Sequence, residues 1–146
     1  MKKEFDEYLC KTYPEMFVDR HADMTTTAMC WGFSCGDGWF PILNQLCQNI
    51  QHHINWKNKT ETVVPQVVVQ QVKEKFGTLR FYYQGGDEYI AGLVSMAESM
   101  SGVTCEKCGN PGTRTGGSWV KTACKEHGGI DYDESEEDYL KEGFEE

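Results

Sequence analysis

The strongest constraint on this chain is a paired spacing of metal-ligand residues near its C-terminal end. The set is Cys105, Cys108, Cys124 and His127. Two residues separate the members of each half, and 15 residues separate the two halves. A glycine follows each half, at Gly109 and Gly128, where it lets backbone amides turn toward the sulfur atoms. Zinc takes four ligands of these types at tetrahedral corners. The sequence therefore predicts a zinc ribbon that binds one Zn²⁺.

This zinc is expected to be structural. Four protein ligands close the coordination shell and leave no position for a water molecule or a substrate. A lone Cys-x-x-Cys would leave redox-active thiols or an unrelated turn as alternatives, but two matched halves favour metal. The segment between the halves is long enough for a short pair of strands, with residues 118–122 as the returning strand.

The remaining cysteines do not form an obvious framework. The chain has seven cysteines, and an odd number at uneven spacing is a poor basis for disulfides. A second metal site built from Cys30, Cys35, Cys47 and the pair His52-His53 is an open alternative. Because free cysteine is among the most buried residue types, we expect these residues to pack in the core.

Periodicity predicts an α+β body in which helices flank a β-hairpin. Apolar residues at steps of three and four predict helices over 3–10, 41–54 and 88–100. Two runs rich in β-branched and aromatic residues, 67–75 and 78–83, predict the strands of the hairpin.

A glycine-rich loop precedes the second helix. Residues 30–40 read Cys-Trp-Gly-Phe-Ser-Cys-Gly-Asp-Gly-Trp-Phe. Glycine supplies bends while large rings need pockets, so we expect a loop that is pinned by buried tryptophans, Trp31 and Trp39.

Charge divides the chain further. The formal charge is -9, and residues 131–146 contain nine acidic residues but one lysine, so the preceding part is nearly neutral. We predict an α+β body over 1–102, a zinc ribbon over 103–129 and an acidic tail over 130–146. This balance argues against a protein that coats DNA generically.

The tail combines acid with apolar residues. Tyr139, Leu140 and Phe144 are costly to expose for solubility alone, and acidic segments with aromatic residues are typical of docking segments. We predict that these three residues bind a partner protein. Mimicry of nucleic-acid charge, or folding back onto the basic ribbon, are alternatives.

Two places are locally basic. Lys73, Lys75 and Arg80 surround the hairpin turn, and the ribbon carries Lys107, Arg114 and Lys121 together with Trp119, whose ring could stack on a base. An ordinary solvated surface explains both places, because so few net charges attract a phosphate backbone only weakly. Nucleic-acid binding by the ribbon is the main alternative function.

Three segments together with the ribbon resemble a family of small phage and prophage proteins that end in a zinc ribbon. They are Cys30-Trp31-Gly32, Gly36-Asp37-Gly38-Trp39-Phe40 and residues 71–83, Gln-Val-Lys-Glu-Lys-Phe-Gly-Thr-Leu-Arg-Phe-Tyr-Tyr. The resemblance covers residues 1–128 and leaves the tail outside. It implies a phage accessory protein in the bacterial host cytoplasm, and it transfers no catalytic residue.

These observations predict a binding protein rather than an enzyme. The chain contains neither a phosphate-binding loop nor a recognisable nucleophile–base signature, and no apolar run approaches the length of a membrane helix. We expect a non-enzymatic protein that binds a host protein, as a counter-defence or host-takeover factor, and no membrane association. A nucleic-acid-binding module is the first alternative, and a small hydrolase or nuclease is the second.

Overall fold

The computed structural model describes residues 1–129 and shows a mixed α+β architecture, as predicted. Its helices and strands are, in chain order, α1 (Lys3–Thr12), β1 (Phe33–Ser34), α2 (Phe40–Lys57), β2 (Val68–Lys75), β3 (Thr78–Gln84), α3 (Glu88–Ser101), β4 (Thr113–Thr115) and β5 (Lys121–Ala123). Strands β1, β2 and β3 form one sheet in that order, while β4 and β5 pair separately.

The two long helices form where the apolar period predicts them. Every apolar position that predicts α2 is buried, namely Ile42, Leu43, Leu46, Cys47, Ile50 and Ile54. Helix α3 begins after Asp87, whose carboxylate accepts a hydrogen bond from the Ile90 N–H at 3.0 Å. This cap satisfies one of the donors that a helix leaves free in its first turn. The two helices pack against each other, and α3 also packs on β3.

The hairpin turns at Phe76 and Gly77, between paired residues Lys75 and Thr78. Both turn residues have positive φ, 53° for Phe76 and 81° for Gly77. This conformation suits the twist of a two-residue hairpin, but it is strained for an aromatic residue such as Phe76. The Glu74 carboxylate accepts a hydrogen bond from the Gly77 N–H at 2.8 Å and holds the turn in place.

A third strand, which the sequence analysis does not predict, completes the sheet. Strand β1 is two residues long and runs parallel to β2, with Phe33 opposite Val72 and Ser34 opposite Lys73. Two residues are too few to show alternation, so periodicity cannot reveal such a strand.

Side chains from α3 cover the outer edge of β3. The Leu79 N–H donates to Ser101 Oγ at 2.8 Å, and the Phe81 N–H donates to Glu98 Oε2 at 3.0 Å. An edge strand with free donors invites pairing with other chains. Here two of those donors are satisfied within the molecule.

The two tryptophans of the 30–40 loop behave differently. Trp39 is fully buried at the centre of the core, as predicted. Trp31 is 68% exposed, so the prediction that its ring pins the loop is wrong. Instead the Arg20 guanidinium, paired with Asp6 at 2.9 Å, donates from Nη1 to the Cys30 carbonyl and anchors this part of the loop.

The edge contact of β3 generates a stability prediction. Ser101→Ala removes the acceptor of the buried Leu79 N–H, and an unsatisfied buried donor costs about 1–3 kcal/mol. We expect urea denaturation to show a loss of that size for Ser101→Ala. Ser95→Ala, on the exposed side of the same helix, is the matched control and should leave stability unchanged or slightly raised. Equal midpoints for the two variants would contradict the role given to Ser101.

Candidate metal centre

The first half of the predicted ligand set lies in a tight turn. The Gly109 N–H donates to the Cys105 carbonyl at 2.9 Å, and the Cys105 N–H donates to the Asn110 carbonyl at 2.7 Å. Gly109 has a φ of 83°, a conformation that glycine adopts without strain. The turn places the buried Cys105 and the exposed Cys108 on one side of the backbone.

The second half begins where β5 ends. A short 3-10 turn, Lys125–His127, follows Cys124, and the N–H groups of His127 and Gly129 both donate to the Cys124 carbonyl, at 3.0 and 2.7 Å. Antiparallel pairing of β4 with β5 sets Thr113 opposite Ala123. The strand pair therefore carries Cys124 back toward the first turn.

The structure brings all four predicted ligands together. Their nearest ligand atoms lie within 4.8 Å of one another. The Cys108 and Cys124 sulfurs are 3.7 Å apart, while His127 Nδ1 lies 3.6 Å from the Cys105 sulfur and 3.1 Å from that of Cys124. The cluster is compatible with a metal site, and Nδ1 is the histidine nitrogen that faces it.

Backbone donors also prepare Cys105 to act as a thiolate. Burial alone would raise the pKa of the Cys105 thiol, but N–H groups of Cys124, Cys108 and Lys107 donate to its sulfur and lower the pKa to about 6. A metal binds the deprotonated sulfur, so these donors favour the ligating form.

The loop before α2 supports the first turn through backbone contacts. The Gly38 N–H donates to the Glu106 carbonyl at 2.7 Å, and the Gly36 N–H donates to the Glu106 carboxylate at 3.0 Å. A methyl group on Gly38 would overlap the Cys105 carbonyl and lie 2.5 Å from the Gly109 nitrogen. This close approach requires glycine at position 38.

Trp39 extends the same contact into the core. Its indole N–H donates to the Thr104 carbonyl at 2.9 Å, immediately before the first ligand. Asp37, in the same loop, accepts a hydrogen bond from the Lys2 backbone N–H at 2.6 Å. The Gly-Asp-Gly-Trp pattern is typical of a tight backbone approach, but it does not identify the ligand turn as the segment that the loop contacts.

The ribbon also contacts the turn of the hairpin. The Thr122 hydroxyl donates to the Gly77 carbonyl at 2.5 Å, and Arg114 Nε donates to the Phe76 carbonyl at 2.7 Å. Both carbonyls belong to the strained turn. The metal cluster, the loop before α2 and the hairpin turn therefore form one connected unit.

The four ribbon residues predicted to bind nucleic acid in the alternative function do not all lie close together. Arg114 and Lys121 both lie next to Gly77 in the hairpin turn. If Gly77 carried a methyl group, Arg114 Cγ and the Lys121 backbone would lie within 3.3 Å of it. Lys107 is exposed on the first ligand turn, and Trp119 is 80% exposed in the loop between β4 and β5.

The other cysteines do not join a metal-sized cluster within residues 1–129. Cys35 and Cys47 are buried in the core, where burial raises the pKa of both thiols, to about 12 for Cys35. Cys30 is half-buried and its thiol donates to the Thr27 carbonyl. These positions agree with the expected packing role.

The predicted partner-binding residues Tyr139, Leu140 and Phe144 lie outside the described residues. Within the described part of the chain, no helix has the length and apolar character needed to cross a membrane. A scan of family models, a search of curated proteins and a search of solved structures find no match to this chain.

The contact at Gly38 predicts the effect of one added methyl group. Gly38→Ala should lower stability by about 1–3 kcal/mol and weaken metal retention, because the ligand turn must move away from the loop. Gly117→Ala is the control, since a methyl group there meets nothing within 4 Å. Denaturation and metal competition with a chromogenic chelator measure the two effects. Equal behaviour of the two alanine variants would show that the close approach is not required.

Proposed function

We propose that the cluster binds one Zn²⁺ as a structural ion. Three thiolates and one imidazole form a donor set that zinc prefers. Tetrahedral zinc with typical bond lengths requires ligand separations of about 3.8 Å between sulfurs and about 3.6 Å between sulfur and nitrogen. The 3.7 Å between the Cys108 and Cys124 sulfurs and the 3.6 Å between the Cys105 sulfur and His127 Nδ1 support this assignment. The 3.1 Å between the Cys124 sulfur and His127 Nδ1 is shorter than this geometry, so binding of the ion would move the imidazole outward. A zinc ion held by four protein ligands cross-links the ribbon and so stabilises it, and it has no open position for a reactive water molecule.

Metal analysis tests the assignment. Protein purified under reducing conditions without chelator should contain one equivalent of zinc, and Cys108→Ser should lose it and lower the melting temperature by more than about 10 °C. Cys30→Ser is the matched control, because its donor group stays within reach of the Thr27 carbonyl and lies outside the cluster. Much less than one equivalent in the unmodified protein, or a different resident metal, would overturn the zinc proposal.

We further propose that the protein is a non-enzymatic accessory factor that binds a host protein in the bacterial cytoplasm, in counter-defence or host takeover. The observation that best supports a non-enzymatic role is that the cluster takes part only in structural contacts. Its four side chains face one another, and the residues around them hydrogen-bond to the loop before α2 and to the hairpin turn. The resemblance to small phage and prophage proteins supplies the setting.

An apolar groove between α2 and α3 supports protein binding. It has a volume of about 230 Å³, and its walls include Leu46 and Leu93. Met96 and Met100 border it and are exposed. Methionine side chains adapt their shape to apolar partners, and grooves of this kind accept an amphipathic helix from a partner. Partner binding by Tyr139, Leu140 and Phe144 of the acidic tail is proposed from the sequence alone.

The hydrolase or nuclease alternative has a weaker basis. His53 Nε2 lies 2.7 Å from the Asp87 carboxylate, beside a hollow of about 500 Å³ that Trp56 and Tyr89 line. Both groups already have structural contacts, because Asp87 caps α3 and the His53 ring stacks on Tyr89 at 4.3 Å. The hydrogen bond from His53 lowers the pKa of Asp87, as expected for a pair that joins two helices.

Host binding is tested with the full chain as bait in a bacterial lysate, followed by reconstitution with the purified host protein. Met96→Asp combined with Met100→Asp should weaken the reconstituted complex at least about tenfold, since both changes place charge in the groove. Val18→Asp combined with Met24→Asp adds the same two charges at exposed apolar positions elsewhere and should have no effect.

Removal of residues 131–146 tests the tail in the same assay. It should weaken host binding while zinc content and melting temperature stay unchanged. If no host protein is enriched reproducibly, or if the reconstituted complex tolerates both the groove and the tail changes, the host-binding proposal is wrong.

A further inference from the structure

The exposed face of the hairpin carries an arrangement of charge that the fold alone does not explain. Lys73 of β2 and Arg80 of β3 lie directly opposite each other. Lys75 projects from the same face, because residues two apart on a strand share a side. Like charges directly opposite on neighbouring strands destabilise a sheet.

No carboxylate within residues 1–129 pairs with Lys73 or Arg80. On the other side of Lys73 stands Ser34 of β1, which is neutral and exposed. The nearest acidic residue in sequence, Glu74, points to the opposite face, and its carboxylate accepts the Gly77 N–H. Glu98 lines the same hollow as Arg80, but its carboxylate accepts the Phe81 N–H. No ion pair of the described residues therefore offsets the repulsion between Lys73 and Arg80, and a bound anion would reduce it.

Aromatic rings accompany these cations. Tyr82 stands two residues from Arg80 on the same face and is 43% exposed. At the turn, the Phe76 ring is 59% exposed and lies 5.7 Å from the Lys75 ammonium. A residue that is strained at φ 53° and also exposes a large apolar ring is doubly costly, and such costs gather at functional sites.

The ribbon extends the surface around the turn. The Arg114 side chain packs against Phe76 and Gly77 and brings one cation of the ribbon next to the basic part of the hairpin. Lys121 contacts Gly77 through its backbone, while its ammonium donates to the His127 carbonyl at 3.4 Å. Trp119 lies two residues before Lys121 in the chain. We call Lys73, Lys75, Phe76, Arg80, Tyr82 and Arg114 the basic aromatic face.

We infer that the basic aromatic face binds single-stranded nucleic acid, as an activity beyond host-protein binding. Cations along a strand follow a phosphate backbone, and exposed rings stack on unpaired bases whatever their sequence. A duplex keeps its bases stacked internally, so it would use the cations but not the rings. RNA and DNA single strands share the recognised chemistry.

The test uses the full chain with its metal and labelled oligonucleotides of about 20 nucleotides in fluorescence anisotropy. Single-stranded RNA and DNA of one sequence and the corresponding duplex form the three arms. We expect both single strands to bind more tightly than the duplex, with affinity that falls steeply between about 50 and 200 mM salt. A single strand that binds as RNA but not as DNA, or the reverse, identifies the source of the ligand.

Lys73→Gln combined with Arg80→Gln should reduce single-strand affinity about tenfold or more and lower the salt slope by about 1.4, the value for two lost phosphate contacts. Lys11→Gln combined with Lys59→Gln removes the same charge from exposed positions elsewhere and should change neither quantity. The first variant should melt at the same or a higher temperature, because it relieves the repulsion between the strands.

Phe76→Asn separates stacking from charge. Asparagine tolerates positive φ, so the turn should persist while affinity falls about tenfold and the salt slope stays constant. The inference is overturned if neither single strand binds, if the duplex binds as tightly as the single strands, or if both double variants bind alike. It is also overturned if an acidic peptide displaces the oligonucleotide at equal concentration, because the surface would then recognise acidic protein segments.

Discussion

The structure depends on a hydrogen bond between two backbone groups, from the Gly38 N–H to the Glu106 carbonyl. The two peptide planes can approach this closely only because position 38 has no side chain. The bond joins a loop that feeds α2 to the turn that holds half of the metal ligands. Trp39, the next residue, then donates from the centre of the core to the Thr104 carbonyl. Through these contacts the ligand turn becomes a continuation of the core rather than an appendage.

The metal cluster in turn acts on the hairpin. Pairing of β4 with β5 directs Thr122 and Arg114 to the carbonyls of Gly77 and Phe76. These two hydrogen bonds help to hold a turn in which Phe76 has an unfavourable φ. Unfolding of the ribbon would remove its contacts with the turn as well as with the loop. Stability of the cluster and presentation of the hairpin are therefore thermodynamically linked, because each is favoured only while the ribbon stays in place.

The sequence reveals the parts of this protein that obey a local period or a local spacing. The cluster of three cysteines and one histidine is found from its spacing, the buried face of α2 from its apolar steps, and the start of α3 from Asp87. Strand β1 is missed because two residues carry no period, and the exposure of Trp31 is missed because ring size alone does not decide burial. The support that Gly38 gives to Glu106 joins residues 68 positions apart, and single-sequence patterns carry no information on such pairs. The same limit hides the meeting of Arg114 with Phe76.

The residues whose charge, conformation or exposure opposes stability lie together on the basic aromatic face of the hairpin. Local preference, packing and charge agree through most of the described residues, as they do in sequences that specify one fold. At the hairpin they disagree, since Lys73 opposes Arg80, Phe76 is strained, and Phe76 and Tyr82 expose their rings. Each disagreement alone is tolerable in a folded protein. They coincide on a surface that the ribbon supports, and a ligand with negative charge and flat rings would relieve them together. That coincidence is the physical basis on which we infer a binding face here.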